Sequence, residues 1–119
     1  MQLIGGYNEL LEYFGREKIF FNNSTLLQIN IDKVEFNFDI DITFKLANSV
    51  SLRICFYNIK KFGFVGDETW ASYYIDPVKL FQKDDLIYLS LNPDGEDEEM
   101  SPGDCNFILF RDLVAYIQP

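Results

Sequence analysis

The sequence predicts an α+β protein. It reads as a mainly antiparallel β-sheet laid out as a meander, either open or strongly curved and sandwich-like, with one short N-terminal helix. Three observations carry that prediction. From Glu35 to Phe44 the chain alternates for ten residues: Phe36, Phe38, Ile40, Ile42 and Phe44 on one side, Glu35, Asn37, Asp39, Asp41 and Thr43 on the other. Strict period two with one apolar and one polar face is the pattern of a strand in an antiparallel sheet wetted on one side. Only the segment Tyr7 to Gly15 shows helical spacing, with Leu10, Leu11 and Phe14 on one face. Turn-forming residues then recur at short intervals through the rest of the chain, as a meander requires.

The elements follow in order. Asn8 is the expected helix cap, Glu9 and Glu12 suit the positive end of the helix dipole, and Gly15 is the expected stop. A first strand runs from Thr25 to Ile31 and turns at Asp32-Lys33 into the alternating strand. Lys45 to Ser49 turns the chain again into Val50, Leu52, Ile54 and Phe56. Beyond Tyr57, Glu68 to Ile75 reads as a strand carrying Trp70, Tyr73 and Tyr74, and Leu86 to Leu91 as another. Asn92 to Asp104, with two prolines and two glycines, is a loop, and Asn106 to Phe110 and Leu113 to Ile117 are terminal strand material, either two pieces or one strand bent around Arg111-Asp112. With 119 residues, no internal repeat and no linker, residues 1–119 are expected to form a single domain.

Composition excludes several functions. Nineteen acids against ten bases give a net charge of -9, which disfavours binding to nucleic acid or to an anionic membrane. There is no histidine, so Ser-His-Asp and Cys-His nucleophilic sites and His-ligated zinc are absent. Two cysteines, Cys55 and Cys105, allow one disulfide at most and no cysteine-only zinc site. No Gly-rich phosphate loop or nucleophile elbow occurs, and the Asp39/Asp41 pairing is inevitable in an alternating acidic strand. The expectation is a non-enzymatic binding protein without catalytic residues, metal or cofactor. The absence of a leader-like segment and of any apolar run of about 18 residues makes the cytoplasm its expected location.

Charge is distributed unevenly. Residues 1–60 hold six bases and seven acids, whereas residues 61–119 hold four bases and twelve acids. Half of those twelve, Asp94, Glu96, Asp97, Glu98, Glu99 and Asp104, fall in one loop. Four readings compete: a solvated loop, a calcium site, a magnesium site and a docking surface for a basic protein. Calcium is opposed by Glu99 standing where an EF-hand loop needs glycine, and magnesium by the want of a second carboxylate cluster. Docking accounts for both the sign and the asymmetry of the charge. Asp67, Glu68 and Trp70 join the candidate surface, Trp70 as an interface anchor or, alternatively, a core tryptophan.

The run Glu9-Leu10-Leu11-Glu12-Tyr13-Phe14-Gly15 followed by Phe20-Phe21-Asn22-Asn23-Ser24-Thr25-Leu26-Leu27-Gln28-Ile29 resembles the start of the immunity protein 50 family and its close relatives in bacterial polymorphic toxin systems. Phe21-Asn22-Asn23 stands where that family has Phe-His-Asp, and the family's Trp-Pro turn is missing. Ser51 to Phe64 and the Leu89-Ser90-Leu91-Asn92-Pro93 step into the acidic loop are also similar. The resemblance implies a small α+β inhibitor that neutralises one cognate toxin. It carries over no catalytic residues. Joined to the charge, it leads to the expectation of a basic, nuclease-like protein partner whose active site is occluded by Asp94, Glu96, Asp97, Glu98, Glu99 and Asp104, with Asp67, Glu68 and Trp70. The alternative is a non-catalytic interaction domain with an aromatic groove and a merely solvated acidic loop.

Overall fold

A computed structural model describes residues 1–21, 23–64, 73–75, 78–95 and 97–118. The architecture is α+β and mostly antiparallel sheet. In chain order the elements are β1 (Gln2–Gly5), α1 (Tyr7–Glu17), β2 (Ser24–Val34), β3 (Asn37–Lys45), β4 (Ser51–Gly63), β5 (Tyr73–Ile75), β6 (Lys79–Lys83), β7 (Leu86–Asn92) and β8 (Cys105–Gln118). They form one sheet ordered β5-β2-β3-β4-β8-β7-β6, with β1 also paired to β8. β8 is the spine. One edge pairs with β4 from Ser51↔Gln118 to Gly63↔Phe107, and the other takes β7 along its first half and β1 along its second.

Connectivity makes the sheet curl. β5 and β6 are the outermost strands of the order, yet only residues 76–78 separate Ile75 from Lys79. Four Cα steps reach about 15 Å at most. Seven strands laid flat would hold their outer members about 29 Å apart. The sheet therefore bends around its own inner face, and the molecule measures 34 × 33 × 29 Å. That inner face carries Ile40, Ile42 and Phe44 of β3, Leu52, Ile54 and Phe56 of β4, Ile87, Leu89 and Leu91 of β7, and Ile108 and Phe110 of β8. Phe21, fully buried, stacks edge-on to Phe14 of the helix at 5.1 Å and meets Phe44 at 5.0 Å, linking α1 to the sheet.

The helix is two residues longer than the sequence reading, and its caps differ. Gly6, not Asn8, precedes the first turn, and the Glu9 carboxylate accepts the Gly6 N–H at 3.3 Å, half of a capping box. Gly15 lies inside the helix. The end is a Schellman motif: Lys18 is left-handed at φ 54, the Ile19 N–H donates to Phe14 O, and the Lys18 N–H donates to Gly15 O. Leu10, Tyr13 and Phe14 form the buried face, whereas Leu11 is exposed.

The first hairpin also turns later than its pattern suggests. β2 runs on to Val34, which pairs with Asn37, so Glu35-Phe36 and not Asp32-Lys33 makes the turn, with Glu35 at φ 56. Residues 31–39 are all exposed, and of the positions read from the alternation as core, Phe36 is 96% exposed at the tip and Phe38 is 38% exposed. Ile40, Ile42 and Phe44 keep the inward face that the alternation assigns them. β4 extends to Gly63 through a bulge near Lys60, after Asn58, whose side-chain amide donates to Asp112 Oδ2 at 2.8 Å. β1 and β6 have no counterpart in the sequence reading. Of the strand read at Glu68 to Ile75, only Tyr73–Ile75 lies among the described residues.

A Cβ added at Gly15 meets nothing within 4 Å, and the residue is helical. Gly15→Ala is therefore expected to stabilise the fold by about 0.5–1 kcal/mol through helix propensity alone. Urea unfolding would show this as a raised midpoint with an unchanged slope.

Candidate functional site

The acidic loop, residues 93–104, joins β7 to β8 and folds back over the outer face of the β6–β7–β8 sheet. Strand alternation puts Lys79 and Phe81 of β6, Tyr88 and Ser90 of β7, and Phe107 and Leu109 of β8 on that outer face, opposite the core residues Ile87, Leu89, Ile108 and Phe110. Lys79, Phe81, Tyr88 and Ser90 are nevertheless buried. Loop residues bond to Lys79 and Tyr88 directly, and Glu99 and Met100 line a hollow with Phe81.

A buried ion pair holds the loop in place. The Lys79 ammonium lies 3.1 Å from Asp104 Oδ1 and 3.2 Å from Oδ2, with the two side chains 2% and 0% exposed. Lys79 also donates to the backbone carbonyl of Glu99 at 2.8 Å and pairs with Asp97 Oδ1 at 3.2 Å. The Asp104 carboxylate further accepts the Asp94 N–H at 2.7 Å, the Ser101 N–H at 2.9 Å and the Tyr88 hydroxyl at 2.8 Å. A charge pair taken from water is tolerable only when its remaining lone pairs and protons are satisfied, as they are here. Each of these bonds fixes a different point of the loop: its start at Asp94, its crest at Asp97 and Glu99, its return at Ser101. Two glycines permit the path. Gly95 is at φ +102, and a Cβ on Gly103 would collide with the Asp94 side chain.

The same network sets the ionisation of its members. Burial pushes the Asp104 carboxyl upward, but the Asp94 and Ser101 amides, the Tyr88 hydroxyl and Lys79 outweigh it and hold the group below its ordinary value. Burial pushes Lys79 downward, and its hydrogen bonds to Asp104 and Asp97 reverse that and raise it. Tyr88 is raised strongly, by burial first and then by donating to Asp104.

The candidate residues thus divide. Asp104, expected on the docking surface, is inside the protein as the loop's internal anchor, because five hydrogen bonds converge on its carboxylate. Asp94, Asp97, Glu98 and Glu99 are exposed. Only Asp97 of these four forms an ion pair among the described residues, and its side chain is still 63% exposed. Asp67, Glu68, Trp70 and Glu96 lie outside the described residues. The chain that contains Asp67, Glu68 and Trp70 leaves β4 at Gly63, opposite Phe107, two residues from the point where the acidic loop enters β8.

Sequence reasoning missed Lys79, Tyr88, Phe81 and Met100. A faint signal existed for the first: Lys79 is one of only four bases in residues 61–119, set between Val78 and Leu80. Cys55 and Cys105 are free thiols, Cys55 partly buried on β4 and Cys105 exposed. Among the described residues no group of three or more His, Cys, Asp or Glu side chains converges as a cation site, and no helix is long and apolar enough to cross a membrane. Comparison with protein-family profiles, with curated proteins and with solved structures found no match.

Two predictions test the clamp. Asp104→Asn keeps the side-chain shape but leaves the buried Lys79 charge with only the largely exposed Asp97 as counter-ion, and is expected to cost about 3–5 kcal/mol in urea unfolding. The pH dependence follows from the directions of shift. A depressed Asp104 contributes stability above its unfolded value, about 3.9, which is lost as pH falls through the lower folded value. Raised Lys79 and Tyr88 contribute below about 10, and that contribution is lost as pH rises through their folded values. Thermal unfolding should show a plateau between roughly pH 5 and 9, and Asp104→Asn should weaken the acid-side fall.

Proposed function

We propose that this protein is an immunity-type inhibitor that binds a basic, cognate bacterial toxin and occludes its active site with an acidic surface. The observation that carries this reading is that the acidic loop is pre-shaped. Lys79 and Asp104 fix its backbone from beneath, so Asp94, Asp97, Glu98 and Glu99 face solvent on a scaffold that need not be ordered on binding. Closely spaced carboxylates of one sign speed encounter with a cationic partner and compete for the arginines and lysines that a nuclease uses to hold phosphate. Glu96, Asp67, Glu68 and Trp70 would extend this surface. Inhibition by coverage asks no chemistry of the inhibitor, which suits a chain without histidine. The resemblance of residues 9–29 to the immunity protein 50 family supports the same reading, and an inhibitor of this kind would act in the cytoplasm.

A second reading, a general protein-interaction domain with an aromatic groove, draws support from the hollows beside the loop lined by Phe81, Tyr88 and Phe107. Salt separates the two, because only charge-led docking weakens steeply with ionic strength.

The test is co-expression with the toxin domain encoded beside this gene. Rescue of growth and co-purification support the reading, and toxicity without rescue or binding would overturn it for that pair. In the purified complex, Asp94→Asn/Glu98→Gln/Glu99→Gln is expected to slow association about tenfold at low salt and to flatten its salt dependence. An unchanged association rate would remove the loop from the interface.

A further inference from the structure

The outer face of β6, β7 and β8 is only partly roofed by the loop. Phe81, Tyr88 and Phe107 form a continuous aromatic row, with ring centroids 5.3 Å apart for the first pair and 5.9 Å for the second. Leu109 and Leu86 extend this floor. Met100 reaches over it from the loop and divides the space into two hollows of about 400 and 490 Å³, each lined by Tyr88, Met100 and Leu109. Both volumes lie in the range of ligand-binding clefts. The floor is rigid, since the Tyr88 hydroxyl is tied to Asp104, while Met100 is 55% exposed on an unbranched, adaptable side chain.

The two hollows differ in charge. Lys61 stands at the larger one, its ammonium 5.8 Å from the Phe107 ring centre. Among the described residues, Asp84 and Glu99 flank the smaller one and outnumber Lys83 there, and the exposed carboxylates of Asp97 and Glu98 immediately precede Glu99. An apolar slot at the foot of an acidic wall is complementary to one kind of side-chain pattern: a large apolar residue with lysine or arginine beside it.

We propose that the smaller hollow, lined by Phe81, Leu86, Tyr88, Met100 and Leu109, is the anchor pocket for an aromatic side chain on a basic segment of the partner protein. This rests on the reading of the loop as a docking surface for a basic protein and says where that partner's binding energy is concentrated. Surface carboxylates set the encounter rate, whereas a desolvated aromatic anchor slows dissociation. Met100 serves as the movable wall that closes on the inserted ring, the kind of sulfur–aromatic contact that methionine makes well.

The chain has two methionines, Met1 and Met100, so 13C-methyl methionine labelling gives two NMR signals, one in the pocket and one remote from it. The probe is a terminally blocked Lys-Arg-Trp-Arg-Lys peptide, titrated into the whole protein to millimolar concentration, with Lys-Arg-Ala-Arg-Lys as its charge-matched control. The Met100 methyl is expected to shift and the Met1 methyl to stay. The tryptophan peptide should bind at least about tenfold tighter than the alanine peptide. Met100→Arg, at an exposed position that should leave thermal stability unchanged, is expected to abolish that difference when binding is followed by calorimetry. Equal affinity of the two peptides, or a Met100 methyl that does not move at saturation, would overturn the pocket. Growth rescue by the wild-type protein reports separately on the toxin reading, so either can fail without the other.

Discussion

Beneath the β7–β8 loop, Lys79 and Asp104 meet in a place water scarcely reaches, with side chains 2% and 0% exposed. Neither charge could stay there alone, because the desolvation cost of one buried ion is several kcal/mol. What compensates it is mainly the loop itself, with two backbone amides and one carbonyl turned toward the pair, joined by the Tyr88 hydroxyl of β7. The dependence runs both ways. A loop that contains Pro93, Gly95, Pro102 and Gly103 and a run of like charges would not hold one shape by its own propensities. The ion pair supplies the attraction that the surface carboxylates lack: Lys79 neutralises the buried Asp104 and, of the exposed acids, reaches Asp97.

This arrangement needs a stable platform, which the curled sheet provides. Because β5 and β6 are joined by only three residues, the inner face is enclosed and the apolar residues of β3, β4, β7 and β8 share one interior with α1. The outer face of β6–β7–β8 is thereby freed to carry a second, smaller layer made by the loop. Phe81 and Tyr88 belong to that second layer and are not members of the main core cluster. Aromatic residues there define the hollow, and the loop above defines the charge at its mouth. Fold, loop shape and proposed anchor pocket are thus consequences of one another.

Much of the fold was legible because alternation is a direct record of burial. Ile40, Ile42 and Phe44 could be placed inward from period two alone. The same pattern misplaced Phe36, since alternation continues unbroken into a hairpin turn and does not say where pairing stops. β1 was too short to leave a pattern. β6 left no apolar alternation, since the buried Lys79 shares a face with Phe81. Gly15 suggested a helix end, but the Schellman turn formed at Lys18, where the local bonds to Phe14 and Gly15 outweigh the strain of a left-handed lysine. For the site, composition located the acidic loop and its boundaries. It could not distinguish Asp104 from its neighbours, because turning inward depends on Lys79, 25 residues earlier in the chain. That is a tertiary relation, invisible to any window of local sequence.

Pre-organisation of the loop by the buried pair is the claim on which the remainder depends, and native-state hydrogen exchange measures it most directly. The amides of Asp94 and Ser101 donate to Asp104 from within a loop. Both are expected to exchange slowly, with opening free energies approaching those of β7 and β8, and to lose this protection in Lys79→Ala while the amides of β3 and β4 keep theirs. Exchange of Asp94 and Ser101 in the wild-type protein at the rate of an unstructured chain would contradict that claim.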